Sequence, residues 1–112
     1  MKKIIIIIPA LIFAFSVLQA QPTPATQLAE KIAKKMKDTL NLTGNQRNQI
    51  YNFNMQLHTQ KSAARQQFTD ADLLRINLQR IENTRDSLYH SVLPEPKYLI
   101  YQQKKRNLVS GN

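Results

Sequence analysis

The residue types that most often perform chemistry are few in this sequence, and they are dispersed. Cys is absent, which excludes thiol nucleophiles, disulfides and thiolate metal ligands. The two histidines, His58 and His90, are far apart, and the only carboxylate at helical spacing from either is Asp86, four residues before His90. A zinc site needs three or four convergent protein ligands. We therefore expect no metal site and interpret both histidines as surface or boundary residues.

Two carboxylates, Glu82 and Asp86, lie one helical turn apart and flank Arg85. A carboxylate pair can supply a general acid and a general base, but the simpler interpretation is that these two groups neighbour Arg80 and Arg85. The chain has two glycines and no Gly-rich loop that would cradle a phosphate. The sequence therefore predicts that the protein is not an enzyme and uses no cofactor.

Basic side chains along amphipathic stretches, with aromatic and Met side chains near the ends of these stretches, favour a binding function. Apolar groups can hold exposed hydrophobic segments of other chains, and positive charge draws acidic segments in quickly. The alternative is that the apolar groups form the core and the charges only solvate it. The candidate residues for binding unfolded client proteins are Lys61, Arg65, Arg75 and Arg80.

Two long stretches with the same apolar spacing predict an antiparallel helical hairpin. From Ile50 to Phe68 and from Leu74 to Val92, seam residues recur at intervals of four and three. A short break at residues 69–72 separates the two stretches, and either Thr69 or its neighbour Asp70 can cap the second. Two helices joined by a short turn pack side by side in opposite directions.

The seam of this hairpin is polar at Asn54 and Lys61 of its first helix and at Arg85 of its second. In the register that the short turn imposes, Asn54 falls opposite Arg85. A guanidinium in a seam needs a partner, because an unpaired buried charge is costly. We therefore predict that Asn54 and Arg85 approach each other across the hairpin.

Shorter helices are predicted on both sides of the hairpin. The first runs from about Gln27 to Leu40 with Thr26 as its cap, and the last runs from about Pro96 to Leu108. The fold class is therefore all-α, a long hairpin with flanking N- and C-terminal helices. We expect one helical domain over residues 27–109, a flexible arm at 21–26 and a short tail at 110–112.

Residues 1–20 are typical of a secretory signal peptide. Lys2 and Lys3 precede an apolar run from Ile4 to Leu18, and cleavage is expected after Ala20. An uncleaved N-terminal membrane anchor is the alternative. Of the 16 Lys and Arg, 14 follow the signal against 7 Asp and Glu, so the exported chain carries a net charge of +7. This charge favours acidic partners, among which nucleic acid is not expected for an exported protein.

The stretch Leu42-Thr43-Gly44-Asn45-Gln46 has the composition of a helix start. Thr43 can accept a hydrogen bond from the backbone N–H three residues later, and Gln46 can reach back to the N–H of Thr43. This reciprocal pair is a capping box. We expect Leu42 to seal the first helix onto the hairpin.

Leu42, Thr43 and Gln46 match a Leu-Thr-x-x-Gln motif. This motif occurs twice in the Spy/CpxP family of periplasmic proteins and defines that family, which the chain therefore resembles. The second copy would fall at residues 92–96, where Leu93 stands in place of Thr and Pro96 in place of Gln. We therefore expect the second capping box to be lost.

The resemblance implies a four-helix protomer that pairs with a second copy into a thin, curved cradle. It also implies an ATP-independent periplasmic chaperone that holds unfolded or stress-damaged envelope proteins. The alternatives are a regulatory partner of the periplasmic domain of an envelope-stress sensor kinase, and a basic helical protein that binds anionic lipid or envelope polymer. The expected partners are non-native envelope proteins and a second copy of the chain.

Overall fold

The computed structural model describes residues 23–110, and within this range it contains four α-helices and no strand. The all-α fold class is therefore confirmed. The predicted signal peptide, the start of the arm and the end of the tail lie outside the described residues. The helices are α1 (Pro24–Leu40), α2 (Gly44–Gln67), α3 (Ala71–His90) and α4 (Glu95–Leu108).

Helix α1 begins three residues before its predicted start, so residues 24–26 of the expected flexible arm are helical. The cap is Thr23, and Thr26 is instead its partner in a capping box. Pro24 is tolerated at the first helical position, because the missing N–H would have no partner within the helix anyway. The helix ends at Leu40, and Asn41 follows in the left-handed conformation with φ of 55°.

The capping box predicted at the start of α2 is present. The backbone N–H of Gln46 donates to Thr43 Oγ1 at 3.1 Å, and the N–H of Thr43 donates to Gln46 Oε1 at 2.9 Å. Leu42 is buried in the core, as expected for a residue that seals α1 onto α2. The motif therefore fixes both where α2 begins and how it is held.

Helix α3 is capped by Asp70, whose carboxylate accepts from the N–H of Leu73 at 2.9 Å. Helix α4 begins at Glu95, one residue before its predicted start, and has no side-chain cap. This is the expected result of losing Thr and Gln from the second motif. Pro94 instead ends the preceding turn, since it cannot continue a helix.

The hydrophobic core joins the second half of α1 to the start of α2, the end of α3 and α4. Met36, Ile50, Tyr89 and Tyr101 are fully buried there. The ring of Tyr89 packs edge-on against Tyr101, with ring centres 5.1 Å apart. All four helices are therefore held together at one end of the α2–α3 pair.

Away from this core, α2 and α3 contact each other with little apolar burial. Beyond Asn54, α2 buries only Leu57 and Ala64, and α3 buries only Arg85 and Tyr89. The contacts pair Asn54 with Arg85 and Lys61 with Glu82, which is the order that antiparallel helices give. None of the helices in residues 23–110 is long and apolar enough to cross a membrane.

Candidate binding surface

A buried polar network lies where α1, α2 and α3 meet. Arg85 Nη1 donates to Asn54 Oδ1 at 3.2 Å, so the predicted approach of these two residues is present. The same nitrogen donates to Tyr89 Oη at 2.8 Å, and the Tyr89 hydroxyl donates to Asn54 Oδ1. Asn54 Nδ2 donates to the carbonyl of Ala29 at 3.1 Å. The side-chain amide of Asn54 therefore links α1, α2 and α3.

Glu82 completes the network at its outer edge. It accepts from Arg85 Nε at 2.5 Å and from Lys61 Nζ at 2.6 Å. Burial alone would raise the pKa of Glu82, but the hydrogen bonds and positive charges of Arg85 and Lys61 outweigh it and hold the pKa below its ordinary value. Glu82 is therefore ionised and bridges two cations, which gives the buried guanidinium the partner that it requires.

Tyr89 is the network member that the sequence prediction missed. Burial raises the pKa of Tyr89 to about 12, although the nearby charge of Arg85 opposes this. The phenol is therefore neutral and remains a hydrogen-bond donor at ordinary pH. The sequence could have indicated this role of Tyr89, because it follows Arg85 by four residues and so lies on the same face of α3.

The four candidate client-binding residues do not all lie at one site. Lys61 and Arg75 line one shallow groove with Leu74 and Leu78, whereas Arg80 lines a different groove. Arg65 lies with Lys61 on the side of α2 that faces α1. The helical period places residues 75 and 80 on different sides of α3, which is why the two arginines separate.

Lys61 differs from the other three candidates because it is engaged within the fold. Its ammonium group pairs with Glu82, and its side chain is 24% exposed. Arg65, Arg75 and Arg80 are exposed. The guanidinium of Arg80 makes one long hydrogen bond, 3.5 Å to Asn77 Oδ1. Lys61 is therefore better described as a structural ion-pair residue, whereas the three arginines present their charge to solvent.

One face of α3 carries large apolar side chains in solvent. Leu73 is 51% exposed and Ile76 is 45% exposed, and they lie three residues apart. Arg80 follows Ile76 by four residues, so these three side chains share a face, which we call the α3 face. Half-buried Phe68 and Ile81 line the 500 Å³ groove that also contains Arg80. The α3 face and this groove form a mixed apolar and basic surface.

Thr43 and Gln46 form a structural site at the start of α2. Besides its part in the capping box, Gln46 donates from Nε2 to the carbonyl of Val92 at 3.2 Å. This bond ties the start of α2 to the turn after α3, where the second motif would lie. The capping pattern predicts a local role for Gln46, but only the tertiary structure shows the long-range contact.

The two histidines are well separated and have different neighbours. His58 Nε2 lies 3.5 Å from Ser62 Oγ, while His90 stacks on Tyr98 and lies 3.1 Å from Glu95 Oε2. Asp86, the carboxylate at helical spacing from His90, instead accepts from the Tyr101 hydroxyl at 2.7 Å. Within residues 23–110, no three His, Asp or Glu side chains are grouped so that they could hold a metal ion.

No family model, no curated protein and no solved structure matches this chain.

Proposed function

We propose that this protein is an ATP-independent periplasmic chaperone-like protein that holds unfolded or stress-damaged envelope proteins. The observation that carries this proposal is the α3 face, where Leu73 and Ile76 are about half exposed beside Arg80. Exposed apolar side chains that cluster with charge often mark a site for binding other proteins. The four-helix core buries neither Leu73 nor Ile76.

The proposed mechanism is reversible holding without an energy source. Apolar segments of a non-native chain would contact Leu73 and Ile76, and acidic segments would be attracted by the arginines. Electrostatic attraction raises the association rate more than the final affinity. Clients would therefore be captured quickly and released by dissociation as they fold.

Two sequence features support this proposal in addition to the surface. The signal-like N-terminus supports export to the periplasm, and the Leu42, Thr43 and Gln46 motif supports membership of the Spy/CpxP family. The regulatory partner of a sensor kinase and the binder of anionic lipid or envelope polymer are the alternatives. Each of these two alternatives would use the same basic side chains but would not require Leu73 and Ile76 to be exposed.

The test is an aggregation assay with an acidic client protein that is unfolded by reduction of its disulfides. We expect stoichiometric amounts of the protein to suppress client aggregation, and the Leu73→Ser/Ile76→Ser double variant to lose most of this suppression. Leu99→Ser is the matched control, because Leu99 of α4 is 50% exposed but lies away from the α3 face. Equal suppression by both variants would remove the α3 face from the site.

Charge reversal tests the basic part of the surface. We expect the Arg75→Glu/Arg80→Glu double variant to capture acidic clients more weakly while far-UV helicity is unchanged. Because the two arginines line different grooves, the single variants show which groove contributes. No suppression by the unmodified protein, together with salt-sensitive binding to anionic vesicles, would favour the lipid-binding alternative.

A further inference from the structure

A small cleft lies between the first turns of α1 and the facing side of α2. Its volume is 180 Å³. Helix α1 contributes only apolar side chains to its wall, and Leu57 of α2 extends that apolar wall. The opposite wall is cationic and contains Lys61, Arg65 and Arg85. The cleft therefore combines an apolar wall with a concentration of positive charge.

The positive charge around the cleft is only partly compensated. Glu82 is the carboxylate that pairs with Lys61 and Arg85, so three cations face one anion. Lys61 uses one of its three N–H donors on Glu82. The side chain of Arg65 makes no hydrogen bond or ion pair with any residue in the described range. Donors of both residues are therefore available to a ligand.

Lys61 and Arg65 leave positive charge at the cleft that Glu82 only partly offsets. They are four residues apart on α2 and lie at the same cleft, and like charges at this spacing destabilise a helix. A bound anion would convert this repulsion into two charge-assisted hydrogen bonds. Two cations beside an apolar wall can bind an anion that has an apolar body.

We propose that this cleft binds a small organic carboxylate with an apolar body, such as a short acyl chain or a single ring. The carboxylate lies between Lys61 and Arg65, and the apolar body packs against Ala25 and against Leu28, which is 44% exposed. A cavity of about 150 Å³ accommodates a benzene ring, so the volume of this cleft suits a ligand of that size and excludes a folded partner. The proposal does not rest on the chaperone-like function.

The test is a titration of the purified full-length protein with hexanoate, monitored by the backbone amide chemical shifts of residues 25–32 and 54–65. Acetate has the charge without the apolar body, and hexan-1-ol has the apolar body without the charge. We expect hexanoate to bind at least about tenfold more tightly than either, because only hexanoate meets both walls of the cleft. Shifts are expected at α1 and α2, and raised salt should weaken binding.

Two variants test the residues. Arg65→Gln removes one cation from an exposed side chain without disturbing the buried network, and we expect a loss of about tenfold in hexanoate affinity, as for one charge-assisted hydrogen bond. Arg106→Gln, at an exposed position on α4, is the matched control and should bind hexanoate like the unmodified protein. Leu28→Ser should weaken hexanoate binding and leave acetate binding unchanged.

Three results would overturn the proposal. Equal hexanoate affinity in Arg65→Gln and Arg106→Gln would place the ligand elsewhere. Hexan-1-ol binding as tight as hexanoate would show that the cations contribute nothing. Binding of a blocked peptide with a Glu side chain, without any response to hexanoate, would show that the cleft serves a client protein instead of a free acid.

Discussion

At the scale of single residues, the Leu42 to Gln46 stretch has two physical roles. Thr43 and Gln46 satisfy backbone donors at the start of α2, and Gln46 also contacts the carbonyl of Val92. The first role is local and follows from the spacing of the two side chains. The second depends on the turn after α3 lying against the start of α2. The pair therefore serves both the helix start and the packing of the core.

Thr43→Ala tests the cap. The substitution removes the acceptor for the N–H of Gln46, and we expect the free energy of unfolding to fall by about 1 kcal/mol. Thr59→Ala is the matched control, because Thr59 is exposed in the middle of α2 and has no capping role. Urea unfolding measures both. A similar loss of stability in both variants would show that the capping bond contributes nothing.

Glu82 predicts a pH dependence at the residue scale. Its pKa in the folded protein lies below the ordinary value of 4.5, so the folded state favours the ionised form. The stabilisation is fully present above pH 4.5 and is lost as the pH falls through the folded-state pKa. We expect the urea midpoint of the unmodified protein to drop across this acidic window.

Glu82→Gln should flatten that part of the pH profile, because the amide does not titrate. Glu95→Gln is the control for an exposed glutamate, whose side chain is 64% exposed, and it should keep the profile of the unmodified protein. If Glu82→Gln and the unmodified protein lost stability in parallel below pH 4.5, the bridge to Lys61 and Arg85 would not be the cause.

At the scale of helices, the polar network replaces an apolar seam. Asn54 and Arg85 occupy positions where hydrophobic residues would normally continue the contact between α2 and α3. The heptad-like spacing was enough to predict their approach. The spacing did not predict the hydrogen bond from Asn54 to the carbonyl of Ala29, because it describes the contact between α2 and α3 and not the position of α1. The network therefore specifies the position of α1 as well as the pairing of α2 with α3.

Asn54→Ala tests this linkage between helices. The substitution leaves the carbonyl of Ala29 and the guanidinium of Arg85 short of partners in a buried site, and we expect a loss of about 2 kcal/mol in unfolding free energy. Asn52→Ala is the control on the same helix, because Asn52 is exposed. Thermal or urea unfolding measures both, and comparable stability of the two variants would contradict a structural role for the network.

At the scale of the whole molecule, the core is small and concentrated at one end. Between Asn54 and Arg85, the α2–α3 pair buries only Leu57 and Ala64. The chain has no disulfide to compensate for limited burial, and pairing of two copies is a natural way to bury more surface. The predicted homodimer follows from this argument and remains a prediction.

Self-association predicts a stability that depends on protein concentration. If two copies form one folded unit, the melting temperature rises with total concentration by mass action. We expect this rise over a hundredfold concentration range, together with a light-scattering mass of two chains. The control is the same measurement in a low concentration of denaturant, where the dimer should dissociate first. A single-chain mass with a constant melting temperature would exclude the dimer.

The sequence predicted the four helices and most of their ends. Apolar spacing predicts the helices, and Thr43 and Pro94 mark a start and a stop because capping and proline effects act within one helical turn. For α3 the sequence left Thr69 and Asp70 as alternative caps, and the cap is Asp70. The first helix was placed three residues late, because Thr23 and Thr26 are both good caps and local chemistry alone does not rank them. The pairing of Asn54 with Arg85 was predictable because a short turn fixes the register.

How the surfaces of the helices combine follows from their packing and could not be predicted from the sequence. The sequence grouped Lys61, Arg65, Arg75 and Arg80 as one basic set, whereas the fold distributes them among separate grooves and pairs Lys61 with Glu82. Periodicity states which residues share a face of one helix, but it does not state which face of another helix lies opposite. The cleft beside α1 depends on where α1 lies against α2, which is set by packing between residues far apart in the chain.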